Sequence, residues 1–516
     1  MSPPGRRLHA ALAGIAAVLA LATGALALRD AHDVFATPLT EDGYYSLAVA
    51  RNVASGAGIT VDGRQPTNGF QPLFTAVEAG CFWIAGLDET VALRLVLALS
   101  WLIYGATAWL VGAIAADLGD TGAPARITRR WLALLLYGGG FLSFMHHFNG
   151  LETGLALGLY ALAGRVYQLG WLEHRLGPIG YGVLLGALVL TRIDSAVFVV
   201  VFAAWQLAAR WRRDPVDALW RAGAPAAIAL LVSAPWWAYN DLVFGSLMPT
   251  SGAAQQDWAL SARRIRWVFW ALGASSLPTL WLGRLDEWFH DGILLSVLRG
   301  LVIGGLGCAI ARAWRRHDPR RDDASGRTRR AVAFGAALAA ALAVLALYYA
   351  LSFIAYWFYY RYLFPVALIA CCLIAWWAAP RALAHPRATV ALIALLCAPT
   401  LVSALLAQRG RTLHVDTVYW EQLALVRQQV PDTDAVAAGQ AGTLGYFRAN
   451  VVNVDGKVNR EAIPYQDRMW DYLDARGVRW FADWPFYVEK YLGADPALHG
   501  WHQAGQNGYW QLWHRD

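Results

Sequence analysis

The sequence predicts a mainly α-helical protein that crosses a membrane many times and ends in a small α/β domain. Three observations support this fold class. Of the 516 residues, 57% are apolar and only 15% are charged, and the mean hydropathy is +0.37. Long apolar runs recur as far as residue 407, and a polar region follows them. These values lie outside the range of ordinary soluble domains.

Eleven apolar runs are predicted to cross the membrane, because each approaches or reaches the roughly twenty residues that a spanning helix needs. The first run follows Arg6 and Arg7 and is long enough to be a retained helix rather than a cleaved signal peptide. The predicted spans are residues 8–28, 91–115, 131–148, 151–168, 178–192, 195–209, 222–240, 292–313, 331–354, 361–380 and 389–407.

Arginine placement predicts which side of the membrane each loop occupies. When the short runs 178–192 and 195–209 are separate helices, three arginine-rich loops share one side, which is therefore cytoplasmic. Fusing the two runs would move the two richest of these loops outside. The three loops are residues 116–130, 209–221 and 314–330. The other side receives loops 29–90 and 241–291 and the C-terminal region.

Composition also excludes several classes of function. The net charge of +7 does not indicate nucleic-acid binding, because the arginines form short blocks between apolar runs. All five cysteines lie in apolar segments, so neither a disulfide framework nor a zinc site is predicted. The sequence contains no P-loop, no strand-associated G-x-G-x-x-G and no H-E-x-x-H motif.

Two neighbouring acids follow the first span. Thr40 is predicted to cap a helix whose first turn contains Glu41 and Asp42 and whose apolar face, which includes Tyr44, lies along the membrane surface. The acids have two interpretations: they complement the helix dipole, or one of them is a catalytic base. A second apolar run, 73–86, is too short to span and is predicted to lie in the interface too.

Other polar and aromatic residues collect at the predicted outer ends of the spans, where ionisable groups usually mark a site. Neutral side chains among them suit sugar hydroxyls, and arginines suit a lipid phosphate. Single members also have ordinary explanations, such as a structural histidine, an aromatic belt or a snorkelling arginine. Arg299 lies inside the span 292–313, so either the span begins later or this arginine faces a polar cavity. The candidates are Tyr44, Asn68, His146, His147, Glu152, Arg192, Asp194, Asn240, Ser251, Gln255, Arg299, Tyr360 and Arg361.

These residues predict a transferase that uses a donor delivered through the bilayer, because no nucleotide pool exists outside the cytoplasmic membrane. A lipid-phosphate-linked sugar meets this need. An acceptor hydroxyl would attack the anomeric carbon, with Asp42 or Glu41 as the base. If these two acids hold a divalent cation, Mg or Mn, that ion would assist. The candidates for binding the leaving phosphate are Arg361, Arg192, Arg299, His146 and His147.

Six short motifs occur in a characteristic order: TEDGYYSLAVARN, TNGFQPL, NGLETGL, LTRIDSA, FGSLMPTSG and YYRYLFP. In this order they resemble bacterial members of the GT-C glycosyltransferase superfamily, which include relatives of the protein O-mannosyltransferases, the aminoarabinose transferases and the arabinofuranosyltransferases. The resemblance covers about four-fifths of the chain, by the extent of its membrane region.

The resemblance implies a polytopic helical fold with surface helices in the first outer loop and an inverting mechanism. It also implies polyprenyl-phosphate-sugar donors, a glycan, lipid or protein acceptor, and a periplasmic site on the bacterial cytoplasmic membrane. The family's acidic motif maps onto Glu41 and Asp42. Members often carry Asp-Asp or Asp-Glu at this point, and we favour Asp42 as the base because its shorter side chain is more rigidly placed.

The C-terminal region, 409–516, is predicted to be a periplasmic α/β domain that follows a transmembrane domain of residues 1–408. Residues 434–447 read as a strand, a glycine turn and a helix, and 449–459 as a strand and turn. A helix ending at Gly477 and a further strand follow.

Two other functions compete with the transferase. Many helices with charged residues also suit a transporter or flippase of a lipid-linked saccharide. However, the chain shows no internal repeat, and its polar residues collect at one face rather than at mid-membrane. A non-catalytic scaffold for polysaccharide assembly is the third possibility.

Overall fold

The structure is a computed structural model that describes residues 3–119, 122–279, 323–411 and 419–516, with isolated residues between 301 and 312. Most of the predicted span 292–313, including Arg299, and most of the arginine-rich loop 314–330 lie outside the described residues.

The first four-fifths of the chain is helical, as predicted. Its described helices are α1 (Pro3–Gly24), α2 (Glu41–Ala54), α3 (Pro72–Ile84), α4 (Glu89–Ala116), α5 (Ala123–Gly138), α6 (Phe141–Phe148), α7 (Thr153–Gln168), α8 (Gly177–Thr191), α9 (Ala196–Trp211), α10 (Pro215–Ala218), α11 (Ala224–Phe244), α12 (Thr250–Ala253), α13 (Ala262–Ser276), α14 (Asp323–Ser352), α15 (Tyr359–Leu363), α16 (Val366–Ala384) and α17 (Pro386–Ala407).

Seven helical segments of the described chain are long and apolar enough to cross a membrane, so the protein is a multi-pass membrane protein. They are Gly5–Leu28, Glu89–Ala116, Ile193–Trp211, Pro215–Phe244, Gly326–Ser352, Val366–Ala384 and Pro386–Ala407. The two short apolar helices α3 and α8 are also present, and α8 is separate from α9 as predicted.

The predicted span 131–148 is wrong as a single helix. The structure divides it between α5 and α6, around Gly139 and Gly140. A Cβ on Gly139 would lie 2.2 Å from Cys397 Sγ, and one on Gly140 would lie 2.7 Å from Pro278 Cβ. The two glycines therefore allow α5 and α6 to pack closely on other segments. Glycine also weakens a helix, which favours a break at this point.

The helix α2 does not lie on the surface of the bundle. All residues from Gly43 to Ala50 are buried, because the helix packs against α3 on one side and against the C-terminal region on the other. Glycine is required at Gly43, since a Cβ there would lie 2.4 Å from the carbonyl oxygen of Asn149. The start of α2 is thereby pressed against the turn before α7.

The C-terminal region forms a five-stranded mixed sheet with short helices. The strands lie in the order β2 (Val451–Asn453), β1 (Val436–Ala438), β3 (Trp480–Asp483), β5 (Trp510–Arg515) and β4 (Trp501–Asn507). Strand β1 pairs in parallel with β2 and β3, and β5 pairs antiparallel with β3 and β4. The predicted strand, turn and helix elements are present, whereas the final β4–β5 hairpin was not predicted. The elements are α18 (Tyr419–Gln429), β1 (Val436–Ala438), α19 (Gly442–Phe447), β2 (Val451–Asn453), α20 (Met469–Ala475), β3 (Trp480–Asp483), α21 (Pro485–Leu492), β4 (Trp501–Asn507) and β5 (Trp510–Arg515).

Candidate active site

A cavity of about 440 Å³ lies where the first outer loop, the helix bundle and the C-terminal region meet. We call it the central cavity. Seven of the predicted site residues line it, although they come from five separate parts of the chain. These residues are Asp42, Glu152, Arg192, Asp194, Ser251, Gln255 and Arg361.

Asp42 lies in the first turn of α2 and lines the central cavity, with 22% of its side chain exposed. The residues on either side of Glu41 and Asp42 fix the position of Asp42. Gly43 contacts the turn at Asn149, and Thr40 donates its hydroxyl hydrogen to the Asn149 carbonyl over 3.0 Å. The Thr40 side chain therefore does not cap α2 as predicted, but holds the start of the helix against the bundle.

Arg361 faces Asp42 across the cavity. Its Nη1 lies 3.5 Å from Asp42 Oδ2, the outer limit of a hydrogen bond. The guanidinium carbon lies 4.9 Å from the ring centre of Phe358 and 5.3 Å from that of Tyr362. The aromatic rings therefore fix the position of the guanidinium, and its bond to Asp42 is a long one.

Glu41 lies outside the central cavity, although it is the immediate neighbour of Asp42. Its carboxylate is buried and accepts hydrogen bonds from the backbone N–H of Gly442 and from Thr443, whose N and Oγ1 lie 2.8 and 2.5 Å from Oε2. Burial raises the pKa of Glu41 to about 7, while the hydrogen bonds from Thr443 and Gly442 act in the opposite direction. Glu41 therefore fastens α2 to the C-terminal region.

Arg192 lines the cavity, but two carboxylates already engage its guanidinium. Its Nη1 lies 2.7 Å from Glu152 Oε1, and its Nη2 lies 2.6 Å from Asp194 Oδ2. The hydroxyl of Tyr349 donates to the same Asp194 oxygen over 2.7 Å. This buried group carries one more negative than positive charge, so it offers little attraction to a phosphate.

The C-terminal region contributes Lys457 to the central cavity. Its Nζ lies 3.1 Å from Asp455 Oδ2. Burial alone would lower the pKa of the Lys457 ammonium, but the charges of Asp455 and Asp42 outweigh it and raise this pKa above its usual value. Lys457 is therefore a cation on the same side of the cavity as the catalytic candidate Asp42.

Two residues that are distant in sequence, Asn68 and Thr250, hold the backbone of Lys457. The hydroxyl of Thr250 donates to the Lys457 carbonyl over 3.1 Å, and Asn68 Oδ1 accepts from Thr250 N and Oγ1 at 2.9 and 2.8 Å. Asn68 Nδ2 donates in turn to Asn240 Oδ1 over 3.1 Å. Asn68 and Asn240 therefore join three segments beside the cavity and do not line it.

Part of the cavity wall is apolar and belongs to the helix bundle. Val344 and Leu345 of α14, Val197 of α9 and Phe353 contribute to this wall. Val344 lies in a segment that is apolar enough to span a membrane, and its side chain is 50% exposed. The central cavity is therefore amphipathic, with charged groups at one end and hydrocarbon at the other.

The structure does not bring several other predicted residues into the cavity. His146 packs against Tyr360 and His147 against Tyr104, and both histidines are buried in the bundle. Tyr44 is buried too, and its hydroxyl donates to the carbonyl of Phe35. Sequence position alone suggested these residues, because helix ends were predictable and side-chain directions were not.

The two acids also do not fit the predicted divalent-cation site. A shared Mg or Mn ion would need an oxygen from each of Asp42 and Glu41. Both oxygens of Glu41 instead accept hydrogen bonds from Gly442 and Thr443, and its side chain points away from the cavity that Asp42 lines.

Sequence reasoning missed seven polar residues that line the cavity: Tyr45, Ser46, Gln71, Tyr348, Tyr349, Tyr362 and Lys457. Only Lys457 carried a usable signal. It is one of two lysines in a chain that contains 43 Lys and Arg residues, and it lies at a glycine turn directly after a strand. The tyrosines occur among many other aromatic residues of the chain.

Two solved structures share this architecture. No family model matches the sequence, and no curated protein matches it. Among solved structures, ArnT from Cupriavidus metallidurans bound to undecaprenyl phosphate superposes with a TM-score of 0.51 at 13% identity, over 99% of this chain and 98% of that one. The chain has the GT-C fold. AglB from Archaeoglobus fulgidus, an oligosaccharyltransferase in complex with an inhibitory peptide and a dolichol-phosphate, has a TM-score of 0.52 at 12% identity, over 96% of this chain and 74% of that one.

The GT-C fold confirms the predicted fold class and the resemblance seen in the motifs. Both solved neighbours are GT-C glycosyltransferases, and the two structures contain lipid phosphates. At 12 and 13% identity, the likeness to these two structures is a likeness of fold.

Proposed function

We propose that this protein is an inverting glycosyltransferase that moves a sugar from a polyprenyl-phosphate donor to an acceptor hydroxyl. The observation that carries this proposal is the pairing of Asp42 with Arg361 at the charged end of an amphipathic cavity. A donor with a charged headgroup and a hydrocarbon tail matches both ends of that cavity. The undecaprenyl and dolichol phosphates in the ArnT and AglB structures are ligands of the same chemical class.

Asp42 is the base in this mechanism. Its carboxylate takes the proton of the acceptor hydroxyl as the oxygen attacks the anomeric carbon on the face opposite the phosphate. The bond between the anomeric carbon and the phosphate oxygen breaks, and the lipid phosphate leaves with the electron pair. One proton moves to Asp42 and one negative charge to the phosphate, and the configuration at the anomeric carbon inverts.

Arg361 is the principal ligand of the leaving phosphate. Its long contact with Asp42 can be exchanged for a shorter bond to a phosphate oxygen, and this exchange also frees the Asp42 carboxylate for the acceptor. Lys457 supplies a second positive charge close to Asp42. Charge that is already in place stabilises the developing phosphate anion without the cost of reorganising solvent.

We further propose that the central cavity lies on the periplasmic side of a bacterial cytoplasmic membrane. The arginine-rich loops 116–130 and 209–221 would then face the cytoplasm. In this arrangement residues 409–516 form a periplasmic domain, and residues 1–408 a transmembrane domain. Ser251 and Gln255, which line the cavity, would bind sugar hydroxyls.

The test is sugar transfer and donor hydrolysis by the purified protein, using a panel of radiolabelled undecaprenyl-phosphate sugars and membrane extract as acceptor. Asp42→Asn should reduce the rate by about 10² to 10⁴, the usual contribution of a general base. The control is Asp467→Asn, which changes an exposed acid outside the cavity. Equal activity of Asp42→Asn and wild type would remove the base assignment. Donor that crosses proteoliposome membranes unchanged, with no sugar released or transferred, would instead identify a flippase.

A further inference from the structure

A second cavity, of about 340 Å³, lies beside the central one, between residues 51–64 of the first outer loop and residues 441–453 of the C-terminal region. We call it the side cavity. Six polar residues that line it are Arg51, Asn52, Arg64, Arg448, Asn450 and Asn453. None of them has a role in the mechanism above.

We propose that the side cavity binds a neutral sugar residue of a glycan acceptor, next to the sugar whose hydroxyl reacts at Asp42. This inference rests on the proposed glycosyltransferase function and names the class of its acceptor.

The side cavity adjoins the central cavity. Tyr45 lines both cavities, so a single side chain forms part of the wall between them. Its hydroxyl accepts hydrogen bonds from the backbone N–H of Ala441 over 2.9 Å and from Asn453 Nδ2 over 3.2 Å. Tyr45 is thus fixed to the C-terminal region, one helical turn from Asp42. Neighbouring units of one extended ligand would lie on its two sides.

The arginines that line the side cavity lie near carboxylates. Arg51 Nη1 lies 2.6 Å from Glu89 Oε1, and Arg448 Nη1 lies 3.0 Å from Asp432 Oδ1. Each of these two cations therefore has its own carboxylate. The third arginine, Arg64, shares the cavity with the carboxylate of Asp62, so the cavity is not a general anion trap. Asparagine side chains present both donors and acceptors, and the arginines add donors, so the cavity suits hydroxyl groups.

Hydrogen bonds within the protein fix the polar side chains of the side cavity. Arg64 Nη2 donates to Asn450 Oδ1 over 2.9 Å, a bond that joins the two walls of the cavity. Asn52 Nδ2 donates to the carbonyls of Thr60 and Val61 over 2.9 and 3.0 Å. The polar groups are therefore held in place before any ligand binds, which lowers the entropic cost of binding. Tyr446 and Phe447 add aromatic surface for the apolar face of a sugar ring.

The experiment uses the full-length protein in detergent and a panel of neutral oligosaccharides of two to four residues, built from mannose, glucose or arabinose. Binding is measured by saturation-transfer NMR, and transfer from radiolabelled undecaprenyl-phosphate sugars by scintillation counting. The double variant Arg64→Ala/Asn450→Ala removes the bond between the walls, and Arg213→Ala, which changes an exposed arginine outside the side cavity, is the control.

We expect at least one oligosaccharide to bind and to accept sugar. In the double variant its Kd and KM should rise about tenfold, which corresponds to roughly 1.4 kcal/mol. Hydrolysis of the donor by water should stay at the wild-type rate, since the side cavity takes no part in it. A matching tenfold increase in Arg213→Ala would show a general effect on the protein and overturn the assignment.

Two other outcomes would overturn the inference: an unchanged KM for the oligosaccharide in the double variant, or transfer to Ser/Thr peptides with none to oligosaccharides. Failure of the proposed function gives a different result. In that case the wild type would consume no donor at all, whether or not an oligosaccharide binds to the side cavity.

Discussion

Asp42 and Arg361 are separated by 319 residues in sequence, yet Arg361 Nη1 lies 3.5 Å from Asp42 Oδ2. Each residue is fixed by its own surroundings: Asp42 by the packing of Gly43 against Asn149, and Arg361 by the rings of Phe358 and Tyr362. The contact between them is long because each is held in place independently. A contact at the outer limit of a hydrogen bond can be exchanged for shorter bonds to a ligand.

Arg361→Gln should reduce kcat/KM for a polyprenyl-phosphate donor by about 10² or more, because the variant loses the charge that stabilises the leaving phosphate. Arg361→Lys should recover part of this loss, since it keeps the charge but not the planar fork of donors. Steady-state transfer kinetics with a radiolabelled donor would measure both variants. Equal kinetics of Arg361→Gln and wild type would exclude a role in phosphate binding.

Arg192→Met should destabilise the protein by about 3 to 5 kcal/mol, because it leaves the carboxylates of Glu152 and Asp194 without their cation. The triple variant Arg192→Met/Glu152→Gln/Asp194→Asn should recover much of that stability. Thermal unfolding in detergent measures this difference. A normally stable Arg192→Met protein with a much higher donor KM would instead support the phosphate-binding role that the sequence suggested.

Glu41 should make the stability of the protein depend on pH. Its pKa rises from an ordinary value of 4.5 to about 7 in the folded protein, so its contribution is present below pH 4.5 and is lost as the pH rises towards 7. Asp483, whose pKa burial also raises to about 7, acts in the same direction. Because Asp483 is unchanged in Glu41→Gln, the difference in melting temperature between wild type and this variant measures the contribution of Glu41 alone. A difference that does not change between pH 4.5 and 8 would contradict this prediction.

Gly69→Ala should destabilise the junction of the three segments beside the central cavity. A Cβ at this position would lie 2.0 Å from the carbonyl oxygen of Lys457, a backbone atom that Thr250 also binds. Overpacking of this kind costs about 1 to 3 kcal/mol. Gly80→Ala is the matched control, because a Cβ there meets no atom within 4 Å. Equal melting temperatures of the two variants would show that the junction can move apart.

Several features of the fold followed from local sequence. The apolar runs predicted the helices because burying about twenty apolar residues in a bilayer is favourable whatever their neighbours are. Arginine placement separated α8 from α9, and turn residues marked the first strands of the C-terminal sheet. The glycine break between α5 and α6 was missed, because the packing of Gly139 on Cys397 and of Gly140 on Pro278 joins distant segments.

The sequence by itself determined that this is a polytopic helical membrane protein with its polar residues gathered at helix ends. Only the tertiary structure decided which of two adjacent acids faces the cavity. Successive residues of a helix point about 100° apart, so Glu41 turns towards the C-terminal region while Asp42 turns towards Arg361. Which of these directions leads to a cavity depends on the segments packed around α2, and one of those segments lies 400 residues further along the chain.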